Sequence, residues 1–160
     1  MTMKILVLIG AGGFARTLAD IVTQTRLYNK LYFLDDVKKD AVSGICSDYV
    51  CYINDNTEFY PAFSDNKIRM TWIDELHKCD AKIATIIHPS AYVSPTARIS
   101  DGVAILPGAV VNTGSRLGSG VLVNCGAVVD HDCIVECCAH IKPRAVASAM
   151  STVKSGMVVE

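Results

Sequence analysis

Two groups of residues in this 160-residue chain have types and spacings that could do chemistry. The first is Gly10-Ala-Gly-Gly-Phe-Ala15, a glycine turn at the end of an aliphatic run. When such a turn opens a helix, its backbone N–H groups and the helix dipole both point at one spot, which favours phosphate oxygens. The acidic pair Asp35-Asp36 follows about twenty residues later, where a Rossmann fold places its ribose-binding carboxylate. A purely structural reading has the glycines packing strand against helix and the acids ending a solvated strand. The second group is His131, Cys133, Cys137, Cys138 and His140, with Asp130 and Asp132 flanking the first histidine. Histidine and cysteine are zinc ligands. A lone histidine is also the side chain whose unperturbed pKa is closest to neutral, suited to moving protons.

The elements that must hold the first group are strands and helices in alternation. Lys4-Ile-Leu-Val-Leu-Ile9 is aliphatic without alternation, as a strand buried on both faces should be. A helix is predicted over 16–27, with Leu18, Ala19, Val22 and Leu27 on one stripe. Further strands are expected at 30–36, 58–63 and 82–86, and a helix at 67–79 capped from Ser64-Asp-Asn66. The stretch 41–57 carries no firm pattern. This half reads as a Rossmann-like α/β domain over 1–86. A nicotinamide dehydrogenase would need more than these roughly eighty residues, together with a substrate domain of ordinary composition.

The second half is instead a repeat. From Ile87 the sequence is written in sixes, with Ile87, Val93, Ile99, Ile105, Val111, Leu117, Val123, Val129, Val135, Ile141, Ala147, Val153 and Val159 at the first position. All but Ala147 are Ile, Leu or Val, and the fifth position carries small or modest side chains such as Ala97, Ala109, Ser115 and Cys133. Each hexad is a short strand and a bend. Three make a triangular coil of about 18 residues, and coils stack at the strand spacing of roughly 4.8 Å. Residues 87–160 supply just over four such coils. First-position aliphatics fill the axis, so binding sites must lie outside, at corners and between neighbouring prisms. In this register His131 occupies an outward bend, with Thr113 one coil below and Ala149 one coil above. Cys133 falls at an inward position and Cys137 and Cys138 at the next bend, so the zinc set could not converge without breaking the coil. No metal is expected.

Composition limits the partners. Fifteen Lys and Arg against sixteen Asp and Glu leave a formal charge of −1, without the electrostatic footprint of a nucleic-acid or anionic-membrane binder. With 51% hydrophobic and 19% charged residues, a packed core is expected. No apolar run reaches the roughly 18 residues of a membrane span. Seven cysteines without a CxxC pair suit a reducing interior, which points to the cytoplasm.

Gly10-Ala-Gly-Gly-Phe-Ala15, Phe33-Leu-Asp-Asp36, Ser64-Asp-Asn66, Ile87-His-Pro-Ser-Ala91 and Val123-Asn-Cys-Gly-Ala-Val-Val-Asp-His-Asp-Cys133 occur here in one order. In them the chain, over about residues 3 to 146, resembles the sugar acetyltransferases that include sialic-acid O-acetyltransferases and UDP-bacillosamine-type N-acetyltransferases. The resemblance implies a small α/β domain holding a nucleotide-sugar, then a left-handed parallel β-helix binding acetyl-CoA between the subunits of a homotrimer. It implies His131 as the base and Asp132 as the acid that orients it, with Asp130 a competing candidate. By the same resemblance Gly12, Gly13, Asp35 and Asp36 bind the nucleotide part of the acceptor and Asn124 lies near the acceptor sugar. His140 and Ala149 belong with acetyl-CoA, the latter where a glycine N–H is expected to meet the thioester carbonyl.

The chain departs from that pattern in places. Phe14 stands where a small residue or histidine is common, and Lys142-Pro-Arg-Ala145 replaces Ala-Pro-Gly-Ala. Members of the family continue past the position of Glu160 with further coils and a capping segment. Two readings result: an acetyl-CoA-dependent acetyltransferase acting on a nucleotide-activated amino-sugar or sialic acid, or a nucleotide-sugar-binding or assembly module that keeps the fold without a complete CoA site.

Overall fold

The computed structural model describes residues 3–37 and 40–160. The chain divides into two compact units, Met1–Ala84 and Thr85–Glu160.

The first unit is built on β1 (Ile5–Ile9), β2 (Lys30–Leu34) and β3 (Thr57–Pro61), all parallel in the order β2-β1-β3. The central strand is the aliphatic one, and Leu6, Val7, Leu8 and Ile9 are fully buried. Because the chain runs from β1 to one neighbour and then returns to the other side, a switch point falls beside the end of β1. Ligand sites of open parallel sheets form at such points. Helix α1 (Gly13–Thr25) leaves directly from the glycine turn, three residues earlier than its polar start suggests. Its buried stripe is Ala15, Leu18, Ile21 and Val22. Leu27 is not part of it: Arg26 turns left-handed at φ 53° and ends the helix, leaving Leu27 exposed.

Helix α2 (Asn66–Lys78) is capped by Asp65, whose carboxylate accepts from the amides of Lys67 and Ile68 at 2.9 Å each. In the stretch that carries no sequence pattern, a 3-10 turn at Cys46–Tyr52 presents Tyr49 edge-on to Phe59 and Trp72. The strand expected over 82–86 does not form. Ile83 makes a single bridge to Phe59, while Ile86 and Ile87 pair upward in the second unit. An apolar run fits either partner, and the hexad rung at Ile105 takes the end of it.

The second unit is a left-handed parallel β-helix of two-residue strands at six-residue intervals. One face stacks β4 (Ile86–Ile87), β7 (Ala104–Ile105), β10 (Leu122–Val123), β13 (His140–Ile141) and β16 (Val158–Val159). The second stacks β5 (Tyr92–Val93), β8 (Val110–Val111), β11 (Val128–Val129) and β14 (Val146–Ala147). The third stacks β6 (Arg98–Ile99), β9 (Arg116–Leu117), β12 (Ile134–Val135) and β15 (Thr152–Val153). Every pairing joins residues eighteen apart, such as Val123 to Ile141 and Val129 to Ala147. The first-position aliphatics from Ile105 to Val153 and the fifth-position residues from Val103 to Ala145 make one continuous buried core. Ala147, the exception among the aliphatics, is buried there too.

The bends have a regularity of their own. Gly102, Gly108, Gly114, Gly120, Gly126, Asp132, Cys138, Arg144, Met150 and Gly156 all sit in the left-handed region, at φ between 56° and 71°. Glycine takes that conformation without a Cβ penalty, whereas Asp132, Cys138, Arg144 and Met150 adopt it against their intrinsic preference. They are held there by rung hydrogen bonds such as Asp132 N–H to the Thr113 carbonyl and Met150 N–H to the His131 carbonyl, each 2.9 Å.

Candidate active site

His131 lies in the bend between β11 and β12, with its side chain 45% exposed. Its Nδ1 is 2.9 Å from Oδ2 of Asp132. A carboxylate only accepts, so Nδ1 carries the proton and the neutral ring keeps the Nε2 lone pair for another partner. The left-handed bend at Asp132 folds this side chain back toward its predecessor. The hydrogen bond to Asp132 raises the imidazole above its ordinary pKa, with the charge of Asp130 adding to the effect and desolvation opposing it.

Asp130 has a different task. Its Oδ1 accepts from the backbone amide of His131 at 2.8 Å and from Asn112 Nδ2, one coil below, at 3.1 Å. These bonds hold its carboxyl below the usual range. Its own carbonyl accepts from Ser115 Oγ at 2.6 Å, and Ser115 Oγ in turn accepts from the amide of Cys133 at 3.1 Å. The bend that carries the histidine is therefore pinned from both sides: Asp130 fixes the backbone and Asp132 contacts the ring. Beneath it Thr113 Oγ1 is 2.7 Å from Thr96 Oγ1, and Ala149, half-buried, lies one coil above on the same edge.

Asn124 and His140 meet each other instead. Asn124 Nδ2 donates to His140 Nε2 at 3.0 Å, with the amide orientation set by Asn124 Oδ1 accepting from the Cys125 amide at 2.8 Å. Asn124 begins the bend between β10 and β11, one edge before that of His131, and His140 is buried in β13. Within one chain this pair and the His131–Asp132 pair occupy two different edges, so His140 and Ala149 are not brought together.

In the first unit, Gly12 caps α1 and Gly13 begins it, with open space beyond the Gly12 Cα. Asp35 joins them: Oδ2 accepts from the Ala11 amide at 2.7 Å and Oδ1 from the Val37 amide at 2.9 Å. The turn and the first acid thus form one cluster at the switch point. Asp36 is turned away, accepting from the Cys46 amide at 2.9 Å.

Among the described residues no three His, Cys, Asp or Glu side chains converge where they could hold a metal ion. Cys133 is buried with Sγ 3.0 Å from the Ser148 carbonyl, and Cys138 is buried against the Ser119 carbonyl while Cys137 is exposed. Nor, among the described residues, is any helix long and apolar enough to cross a membrane. Hexad phasing alone does not single out Asn112 and Gly114 as contributors to this edge. The signal that does is an eighteen-residue offset, Asn112 under Asp130 and Gly114 under Asp132.

Known proteins share this architecture. Residues 5–76 match the family model of the PglD N-terminal domain. No curated protein sequence matches. Among solved structures, the acetyltransferase domain of PglB from Neisseria gonorrhoeae FA1090 is 30% identical, with a TM-score of 0.89, over 97% of this chain and 87% of that one. The same domain in complex with acetyl coenzyme A is 29% identical at a TM-score of 0.89, covering 98% and 88%. A mutant of perosamine N-acetyltransferase from Caulobacter crescentus, in complex with CoA and GDP-perosamine, shares the fold at 24% identity and a TM-score of 0.87, covering 98% and 77%.

Proposed function

This chain belongs to the hexapeptide-repeat family of PglD-type sugar acetyltransferases, and from that premise we propose that it transfers the acetyl group of acetyl-CoA to an amino-sugar carried on a nucleotide, for cell-surface glycan synthesis. The observation that carries the reading is the His131–Asp132 pair, a protonated Nδ1 held by a carboxylate with Nε2 free on an exposed edge. Nε2 takes the proton of the sugar amine as its nitrogen bonds to the thioester carbonyl carbon. Backbone N–H groups stabilise the oxyanion, and Ala149, one coil above, retains the N–H a glycine would supply. The C–S bond then breaks, and the CoA thiolate leaves with the proton returned from the imidazolium. Asp132 stabilises that imidazolium and keeps its tautomer.

The acceptor's nucleotide fits the cluster of Gly12, Gly13 and Asp35, where a helix N-terminus and a carboxylate meet at a switch point. Asp36 contributes by ordering the loop at Cys46. Sialic acid, the other acceptor the resemblance offers, carries less use for that cluster. Asn124 and His140 would serve the site from the neighbouring edge, and an oligomer supplies the means. The outer positions of the second face are Tyr92, Val110, Val128 and Val146, an apolar ladder in register, with Tyr92 55% and Val146 53% exposed. A homotrimer would bury this ladder and set the edge of one copy beside that of the next. None of the seven cysteines is in a disulfide, which fits work in the cytoplasm.

The test is to mix the protein with acetyl-CoA and UDP-linked amino-sugars and follow free thiol. Release that depends on acceptor and disappears in His131→Ala supports the reading; undiminished release in that variant removes it.

A further inference from the structure

Gly114 stands one coil below Asp132, both at the left-handed fourth position of their hexads. A Cβ on Gly114 would lie 3.2 Å from the Asp132 Cγ, 3.7 Å from its Cα, and in outright overlap with its Oδ1. The carboxylate therefore rests over the bare Cα of Gly114, with Oδ1 turned down to it and Oδ2 turned to His131 Nδ1.

We propose that Gly114 is a positioning residue for acetyl transfer: the space left by its missing side chain lets the Asp132 carboxylate lie where its second oxygen reaches the imidazole of His131. This rests on the reading of His131 as the base. Neighbouring glycines show why this position differs. At Gly118 a Cβ would meet the backbone nitrogen of Cys137 at 2.9 Å, so the coil itself would have to shift. At Gly108, in the same left-handed conformation at φ 69°, the nearest atoms are backbone atoms of Gly126 at 4.0 Å, an ordinary contact. At Gly114 the obstacle is the tip of a flexible side chain. What yields there is the Asp132 rotamer, and with it the hold on the ring.

The charged groups facing His131 are Asp130 and Asp132 from its own bend; Thr113 below and Ala149 above do not titrate in the relevant range. Swinging Asp132 aside therefore removes the main influence that raises the imidazole pKa and frees the tautomer.

The experiment compares Gly114→Ala with Gly108→Ala, which carries the same backbone strain without the carboxylate. Gly114→Asn serves as a second variant, since asparagine tolerates the left-handed region but still adds a Cβ. The full chain is titrated by NMR, with the His131 ring signal assigned by its loss in His131→Gln, and steady-state rates are measured alongside. In both Gly114 variants the His131 pKa falls toward that of an ordinary histidine and kcat drops on the order of 10²-fold, with KM for acetyl-CoA within about twofold. Gly108→Ala moves neither. In an Asp132→Ala background, Gly114→Ala causes no further loss of rate. A His131 pKa and kcat in the Gly114 variants matching those of Gly108→Ala would overturn the inference. Full activity in His131→Gln would overturn the base assignment instead, while the titration still reports on whether Gly114 seats Asp132.

Discussion

Oδ2 of Asp132 is 2.9 Å from Nδ1 of His131, although the two are adjacent in sequence and adjacent side chains ordinarily diverge. The contact exists because Asp132 takes the left-handed bend at φ 56°, which turns its carboxylate back over the preceding ring. The bend that Gly114 makes one coil below is here made by an acid, so one residue both turns the coil and holds the imidazole.

Replacing that acid tests the arrangement through pH. The raised imidazole must be neutral to accept a proton, so activity climbs with pH through a value above that of ordinary histidine. In Asp132→Asn the raising hydrogen bond is weakened and its charge removed, so the acid limb of the kcat/KM profile moves to lower pH. The plateau falls on the order of 10²-fold. An acid limb that stays in place would separate Asp132 from the base.

The apolar ladder gives a prediction about assembly. Val128 pairs in register with Val110 and Val146 on the outer side of the second face. Val128→Glu puts a charge in the middle of that strip without touching the buried axis. Sedimentation should show the proposed trimer giving way to monomer, with activity lost together with the oligomer and the circular dichroism unchanged. A variant that stays trimeric would move the interface to another face.

Stability of the prism depends on its axis. Ile141 is fully buried between Val123 below and Val159 above, so Ile141→Ala should cost about 2–5 kcal/mol in denaturant unfolding. Ile134 points outward from β12 and is 46% exposed; Ile134→Ala should stay within about 0.5 kcal/mol of the parent. Equal losses at both sites would contradict the assigned facing.

A change confined to the first unit should weaken acceptor binding and leave acetyl-CoA binding level. Asp35→Ala removes the carboxylate that holds the Ala11 and Val37 amides at the glycine turn. KM for the nucleotide-sugar should rise about tenfold or more while KM for acetyl-CoA stays level. A rise in both would mean that the substitution acts through the fold.

Hexad phasing by itself determined the β-helix, because an aliphatic residue every six positions has only the axis of a three-sided coil in which to be buried from Ile105 to Val153. The unbroken run from Leu6 to Ile9 likewise specified a strand covered on both faces. Local patterns of this kind are set by neighbours in the chain and are legible there. The sequence left open whether Asp130 or Asp132 serves the imidazole, since both flank it equally. Only the tertiary structure decided this, giving Asp130 to the His131 amide and to Asn112, and Asp132 to the ring. The pairing of Asn124 with His140, and the room that Gly114 leaves under Asp132, were decided the same way. These contacts join residues roughly one coil apart, and their geometry depends on how each turn of backbone stacks on the one beneath it.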